Sequence, residues 1–178
     1  AMRSALRGAL DRAGRDATAK VIVLHGPGRI FCAGHDLKEI ARHRQGDDVG
    51  LAYLTDLFNE CGAMMQRLAG IAKPTIAVVE GVATAGGLQM AASCDLVFAG
   101  PLARFCLPGV NNGGFCTTPA VAVGRKVARG AVMDLALSGE MKPVDWALRV
   151  GLVDRLVDEG TVLDAALTFA KQLATRHA

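Results

Sequence analysis

Two short runs, Lys20-Val-Ile-Val-Leu-His25 and Thr75-Ile-Ala-Val-Val79, constrain the fold more than any other feature of the chain. Both are apolar and rich in β-branched residues without alternation, the pattern of a strand covered on both faces. The first closes at Gly26-Pro27-Gly28; the second follows Pro74 and ends at Gly81. Each therefore reads as a buried strand bounded by a tight turn. Between them Leu51, Leu54, Leu57, Phe58, Cys61, Met64, Met65 and Leu68 recur at three- and four-residue spacing. That is the stripe of a long amphipathic helix, with its methionines as core filler. Strands separated by helices point to an α/β fold with buried, mostly parallel strands.

The remaining elements keep that alternation. Residues 85–93 read as a glycine-initiated helix, 95–98 as a strand and 104–107 as an extended piece before Pro108. Helices are predicted over 118–127, 130–137 and 143–149, followed by an extended step at Leu152-Val153. A last amphipathic helix carries Val162, Leu163, Ala166, Leu167, Ala170 and Leu173 on one side. At the N-terminus Leu6, Leu10 and Ala13 fit an amphipathic helix better than an arginine-rich transit peptide, because Asp11 and Asp16 interrupt the basic run. The polar, glycine-bearing segment 42–50 is a candidate mobile loop.

With 178 residues and 51% hydrophobic content, residues 1–178 suit one domain with one buried core. A net charge of +3 is dispersed among 20 basic and 17 acidic side chains, which argues against nucleic acid as a partner. Neither a hydrophobic leader nor a run of membrane-spanning length is present, so no membrane partner is expected. Five cysteines, without a CxxC pair or histidines at ligand spacing, suggest reduced thiols and no metal. The compartment expected is cytoplasmic, a bacterial cytosol or, as second choice, a mitochondrial matrix.

Two strand-to-helix junctions carry the chemistry. In Phe31-Cys-Ala-Gly-His-Asp-Leu-Lys-Glu39, Asp36 is a good N-cap with Glu39 three residues on, so a helix should start at Leu37 with the His35 amide at its mouth. Gly34 allows the sharp turn that this approach needs. In Gly81-Val-Ala-Thr-Ala-Gly-Gly-Leu-Gln-Met90, Gly86 and Gly87 keep the backbone bare at the next helix start. On neighbouring strands, the two junctions could aim two amides at one oxygen, which is an oxyanion hole. Glycine plus a capping Asp is also ordinary loop chemistry. Nucleotide binding is the weaker reading: Gly81-x4-Gly86-Gly87 lacks the Lys-Ser/Thr of a phosphate loop, and no G-x-G-x-x-G stands at a strand-helix turn.

The segment from Phe31 to Lys38 resembles the F-x-A-G-x-D-[LIV]-K signature of the crotonase superfamily, the enoyl-CoA hydratase/isomerase family. Lys73-Pro-Thr-Ile-Ala-Val-Val-Glu-Gly81 with Ala85-Gly-Gly and Cys94-Asp95, and Ser138-Gly-Glu-Met with Ala147-x3-Gly151-Leu-Val-Asp154, resemble its later blocks. Gly-His-Asp-Leu-Lys-Glu39, Pro108-Gly-Val-Asn and Phe115-Cys-Thr-Thr-Pro119 are most similar to the branch called enoyl-CoA hydratase domain-containing protein 3. The resemblance implies a crotonase (ClpP-like) fold of repeated ββα units, assembled as a homotrimer or a dimer of trimers. On that comparison the core is read as lacking the family's first strand, upstream of Met2, and as having incomplete trimerisation helices, beyond Ala178.

It further implies an acyl-CoA or enoyl-CoA substrate, with no permanently bound cofactor. The thioester oxygen would meet the His35 and Gly86 amides; Ala33 would lie near the adenine and Lys38 near a CoA phosphate or ribose. Further contacts would fall on Asp36, Leu37, Val82, Gly87, Pro108 and Gly109. Lys38 reads equally well as an exposed capping-turn lysine. The usual pair of catalytic glutamates is replaced by Gln89 and Gly109, neither of which exchanges protons near neutral pH. Other titratable groups in the region are His35, Asp36, Cys106 and Cys116. Three activities therefore stay open: a hydratase/isomerase with unusual proton carriers, a CoA-thioester-binding subunit with little turnover, and a thioesterase or decarboxylase using water or His35. Introducing Gln89→Glu with Gly109→Glu is expected to raise hydration of crotonyl-CoA.

Overall fold

The computed structural model describes residues 2–176. The N-terminal helix α1 (Met2–Arg15) leads into β1 (Ile22–Gly26) and β2 (Ile30–Cys32), then α2 (Leu37–His43) and α3 (Leu51–Ala69). The next unit is β3 (Thr75–Val79), β4 (Val82–Thr84) and α4 (Gly86–Ala92). A third holds β5 (Leu96–Ala99), β6 (Arg104–Cys106), a 3-10 turn (Pro108–Asn112), α5 (Thr117–Gly124) and α6 (Arg129–Ser138). The chain continues through β7 (Lys142–Pro143), α7 (Val144–Arg149), β8 (Arg155–Leu156) and α8 (Val162–Arg176).

Strands β1 to β6 alternate between two sheets, β7 stays in the second beside β6, and β8 returns to the first. One has the order β1-β3-β5-β8, the other β2-β4-β6-β7, and every pairing is parallel except β6 with β7. This is the repeated ββα pattern. The unbroken apolar run of β3 follows from its place inside the first sheet: Ala77 and Val79 face the main core, while Ile76 and Val78 pack with Phe98 under Val162, Ala166 and Ala170 of α8.

Several motif residues hold this frame together. Lys73 Nζ donates to the Ala13 carbonyl at 2.6 Å and so caps the C-terminus of α1. Asp95 accepts from the amide and hydroxyl of buried Thr75, both at 2.8 Å, which ties the starts of β3 and β5. Asp154 accepts from Val97 N at 2.7 Å and Lys126 Nζ at 3.1 Å. Burial pushes the Cys94 thiol up to about 12, so the cysteine of the Cys94-Asp95 block is inert packing.

The structure corrects three expectations. The extended step lies at Arg155–Leu156, not at Leu152-Val153. Leu152 and Val153 are the buried plug, their amides turned to the Ala147 carbonyl, while both β8 residues are exposed and give no apolar signal. Segment 42–50 is helical at its start and a series of turns after it: α2 runs to His43, whose ring stacks on Tyr53 at 3.7 Å, and the Asp48 carboxylate accepts from Gly50 N and Ala52 N. Finally, the junctions do not follow β1 and β3 directly. The three-residue strands β2 and β4 intervene, too short to show a period of their own.

Candidate active site

Strands β2 and β4 pair in parallel, so the turns that leave them lie side by side. A Cβ placed on Gly34 would come within 3.3 Å of Gly86 N and 3.1 Å of Ala85 Cβ, which shows how closely the junctions abut. Gly34 also has φ +92°, in the region that favours glycine. On the other side Ala85 takes φ 48° and ψ −120°, a conformation that costs a non-glycine residue about 1–3 kcal/mol. Ala85 N donates to the Cys106 carbonyl at 3.0 Å, and the Ala85 carbonyl accepts from Gln89 N at 3.0 Å. The strained residue is thereby anchored, and the next amide is left over. Among the described residues neither His35 N nor Gly86 N donates a hydrogen bond to the protein.

Both residues line one cavity of about 420 Å³, within the range of small-molecule sites. Its walls are Phe58, Cys61 and Gly62 of α3, Ala85, Gly86 and Gln89 around the start of α4, and the stretch from Phe115 to Pro119. Thr118 Oγ1 donates to Gln89 Oε1 at 3.4 Å across it. A second cavity of about 250 Å³ shares His35, Cys61 and Gly86 and runs past Met64, Met65 and Met90 to Arg3 and Glu39. The His35 ring meets Phe58 edge-on at 5.4 Å. Burial first, and then the charge of Arg3, hold its imidazole below the ordinary value, which keeps it neutral at pH 7. Among the described residues no carboxylate lines the first cavity, and no cluster of three His, Cys, Asp or Glu side chains is placed to hold a metal ion.

Not all residues singled out in the sequence come together here. Asp36 accepts from Lys38 N at 2.9 Å and Glu39 N at 3.2 Å, which is a cap and not a free base. The returning bond of a capping box is not formed among the described residues, and Glu39 lines the second cavity instead. Gly87 faces away from the cavity: a Cβ there would lie 2.0 Å from the Cys32 carbonyl oxygen, so its bareness serves the packing of α4 on β2. Ala33, Leu37 and Lys38 are exposed on the rim side and line neither cavity. The Ala33 carbonyl accepts from Thr84 Oγ1 at 3.1 Å.

Val82 belongs elsewhere. It lines a separate cleft of about 830 Å³ with Arg29, Glu80 and Arg104, at the opposite end of β4 from Gly86. Pro108 and Gly109 form the start of the 3-10 turn, behind the wall they were expected to line. A Cβ on Gly109 would sit 2.7 Å from Cys116 N and 2.8 Å from the Phe115 carbonyl carbon, so the position has no room for a glutamate. This overturns the expected rescue by Gly109→Glu. Cys106 is buried and donates to the Gly139 carbonyl at 3.2 Å, whereas Cys116 does line the cavity. Phe58, Phe115, Thr117 and Thr118 were not foreseen as site residues; Phe58 looked like one more core position in the α3 stripe, yet it is 55% exposed.

The model of the family described as enoyl-CoA hydratase/isomerase matches residues 1–178. The chain belongs to that family. An enoyl-CoA hydratase/isomerase family protein from Silicibacter pomeroyi has a similar solved structure, with TM-score 0.91 and 56% identity over 97% of this chain and 72% of the other. The human enoyl-CoA hydratase domain-containing protein 3 is also similar in structure, with TM-score 0.88 and 33% identity over 98% of this chain and 67% of the other. Its rat counterpart, described as mitochondrial, is 38% identical over 98% of this chain. The chain spans 57% of that curated relative's length. Shared enoyl-CoA hydratase/isomerase ancestry thus covers both junctions and both sheets, and the branch likeness read from the motifs agrees with it.

Proposed function

We propose that this chain binds an acyl-CoA or enoyl-CoA thioester and holds its carbonyl oxygen between the amides of His35 and Gly86, so that an enolate or tetrahedral oxyanion is stabilised. The observation that carries this reading is the pair of undonated amides at abutting strand ends, opening on one cavity. Such donors act where charge develops, each worth ~10²–10³ in rate. Coenzyme A is substrate here, with Lys38 on the exposed first turn of α2 as the candidate phosphate or ribose contact. Assembly as a homotrimer or a dimer of trimers goes with this reading.

Hydration of a 2-enoyl thioester needs a proton taken from water and one delivered to carbon. Gln89 and the cavity threonines do neither near neutral pH, which favours weak hydratase activity. A second reading rests on His35, the one group among the described lining residues whose ordinary pKa suits acid-base work at neutral pH. Through it, or through a bound water, the chain would act as a thioesterase or decarboxylase. A panel of acyl-, enoyl- and malonyl-type CoA thioesters, followed by thioester absorbance and product mass with binding measured by calorimetry, separates these activities. Affinity for thioesters well above that for free fatty acids is the expected result. Equal affinity for the two, or none for either, would reject the thioester site.

A further inference from the structure

Among the described residues, Val49 and Ala85 are the non-glycine residues with a positive φ, at 53° and 48°. Val49 stands in an exposed turn and lines neither cavity of the site, whereas Ala85 stands beside Gly86 in the wall of the first. At φ 48° and ψ −120° glycine is free of strain and alanine is not. Helices α2, α6 and α7 start instead from extended residues, Asp36 at φ −71°, Ala128 at φ −60° and Pro143 at φ −77°. The turn at 85 is held from both ends, by the Cys106 carbonyl on Ala85 N and by Gln89 N on the Ala85 carbonyl. The described peptide bonds are trans, and in a trans unit the N–H points opposite to the C=O. With the Ala85 carbonyl turned along α4, the Gly86 N–H of the same unit points out of the helix start, where both residues line the cavity.

None of this needs a side chain at 85, since glycine would make the same two hydrogen bonds without strain. What alanine adds is one methyl group. A Cβ built on Gly34 would lie 3.1 Å from the Ala85 Cβ, so the methyl sits against the bare backbone of the facing turn, and the next residue on that turn is His35. The methyl thus stands between the two segments that carry the undonated amides. We infer that Ala85 is a positioning residue: its methyl, kept despite the strained backbone, braces Gly34 and sets the spacing between the His35 and Gly86 amides. Without the brace, the turn at Gly34 settles toward α4 and the two N–H groups no longer converge on one oxygen. Donors of this kind work only when held in place beforehand, to within ~0.5 Å. The inference rests on the thioester reading given above and adds to it the side chain that fixes the width of the hole.

Calorimetric titration with butyryl-CoA and with S-butyl-CoA, a thioether that lacks the carbonyl oxygen and keeps the rest, isolates the hole from all other contacts. The wild type should bind the thioester about tenfold tighter, the size expected of two backbone hydrogen bonds. In Ala85→Gly the ratio should fall to about threefold or less, with S-butyl-CoA affinity unchanged and a urea midpoint at or above that of the wild type, because the strain is gone. Ala85→Ser keeps the Cβ and should keep the wild-type ratio. Val49→Gly is the control for strain relief alone: it should raise the urea midpoint and leave the ratio as it is. An unchanged ratio in Ala85→Gly would overturn the inference while leaving the hole intact. So would a loss of stability in that variant, which would make the methyl ordinary packing, or an equal fall of the ratio in Val49→Gly. A wild-type ratio of one would overturn the hole itself.

Discussion

Gly87→Ala puts one methyl group where the packing of α4 on β2 leaves no space. The added Cβ would lie 2.0 Å from the Cys32 carbonyl oxygen and 2.6 Å from its carbon. An ordinary contact of this kind is more than 1 Å longer, by about the width of a bond. The obstacle is backbone fixed by the β2–β4 ladder, so no side chain can swing aside and the helix itself must lift. Lifting α4 loosens Leu88 and Ala91, both fully buried against the main core. Overpacking costs typically about 1–3 kcal/mol, and a rigid obstacle puts this site at the upper end. The shift also carries Gly86 N away from His35 N, so thioester affinity should fall with stability. Urea denaturation followed by far-UV circular dichroism reads the first effect and calorimetry the second. Gly130→Ala is the control: its Cβ meets nothing within 4 Å, and it should be neutral or stabilising by up to about 1 kcal/mol. A Gly87→Ala protein as stable as the wild type, with an unchanged denaturant slope, would refute the close-packing account.

Gly86→Pro removes one hole donor at a first helical position, and its Cβ meets only Gly34 Cα at 3.7 Å. Any thioester turnover should drop ~10²–10³-fold, and full activity in a folded variant would move the hole elsewhere. Adding Gly109→Glu to Gln89→Glu should yield no crotonyl-CoA hydration and a stability loss of roughly 1–3 kcal/mol, because the new Cβ strikes Cys116 N; robust hydration by the pair, read as thioester absorbance, would contradict the geometry. His35 titrates below its ordinary value of 6.5, mainly through burial. The unfolded chain therefore takes up that proton first, so the stability tied to this group is complete above about pH 6.5 and is lost as pH falls through the folded value. Urea midpoints from pH 8 to pH 5 should show this loss in the wild type and a flatter profile in His35→Gln, and identical profiles would rule out the assignment. Light scattering at micromolar concentration should show a trimer or a multiple of it, and a monomer would count against the proposed assembly.

What was legible in the sequence had a strong local signal. The β1 and β3 runs and the α3 stripe carry their burial as an apolar pattern along the chain itself, the Asp36 cap is a contact made within three residues, and each element stands where it was read. What was not legible depends on distant partners. Strands β2 and β4 are three residues long and owe their existence to each other's edges, and β8 pairs through exposed Arg155 and Leu156. The site follows the same division. His35 and Gly86 could be found because a glycine-bearing turn before a helix is a local event, whereas Val82, Gly109 and the glycine at 87 could not be assigned without knowing what their missing or present side chains face. At 109 and 87 the answer is a backbone only 2–3 Å from where a Cβ would be, contributed by Phe115-Cys116 in one case and by Cys32 in the other. A glycine is silent in sequence about whether it serves a ligand or a neighbouring strand. Gly86 differs from both: the atom near its would-be Cβ is the Gly34 Cα at 3.7 Å, so no backbone presses on it and its amide stays open to the cavity.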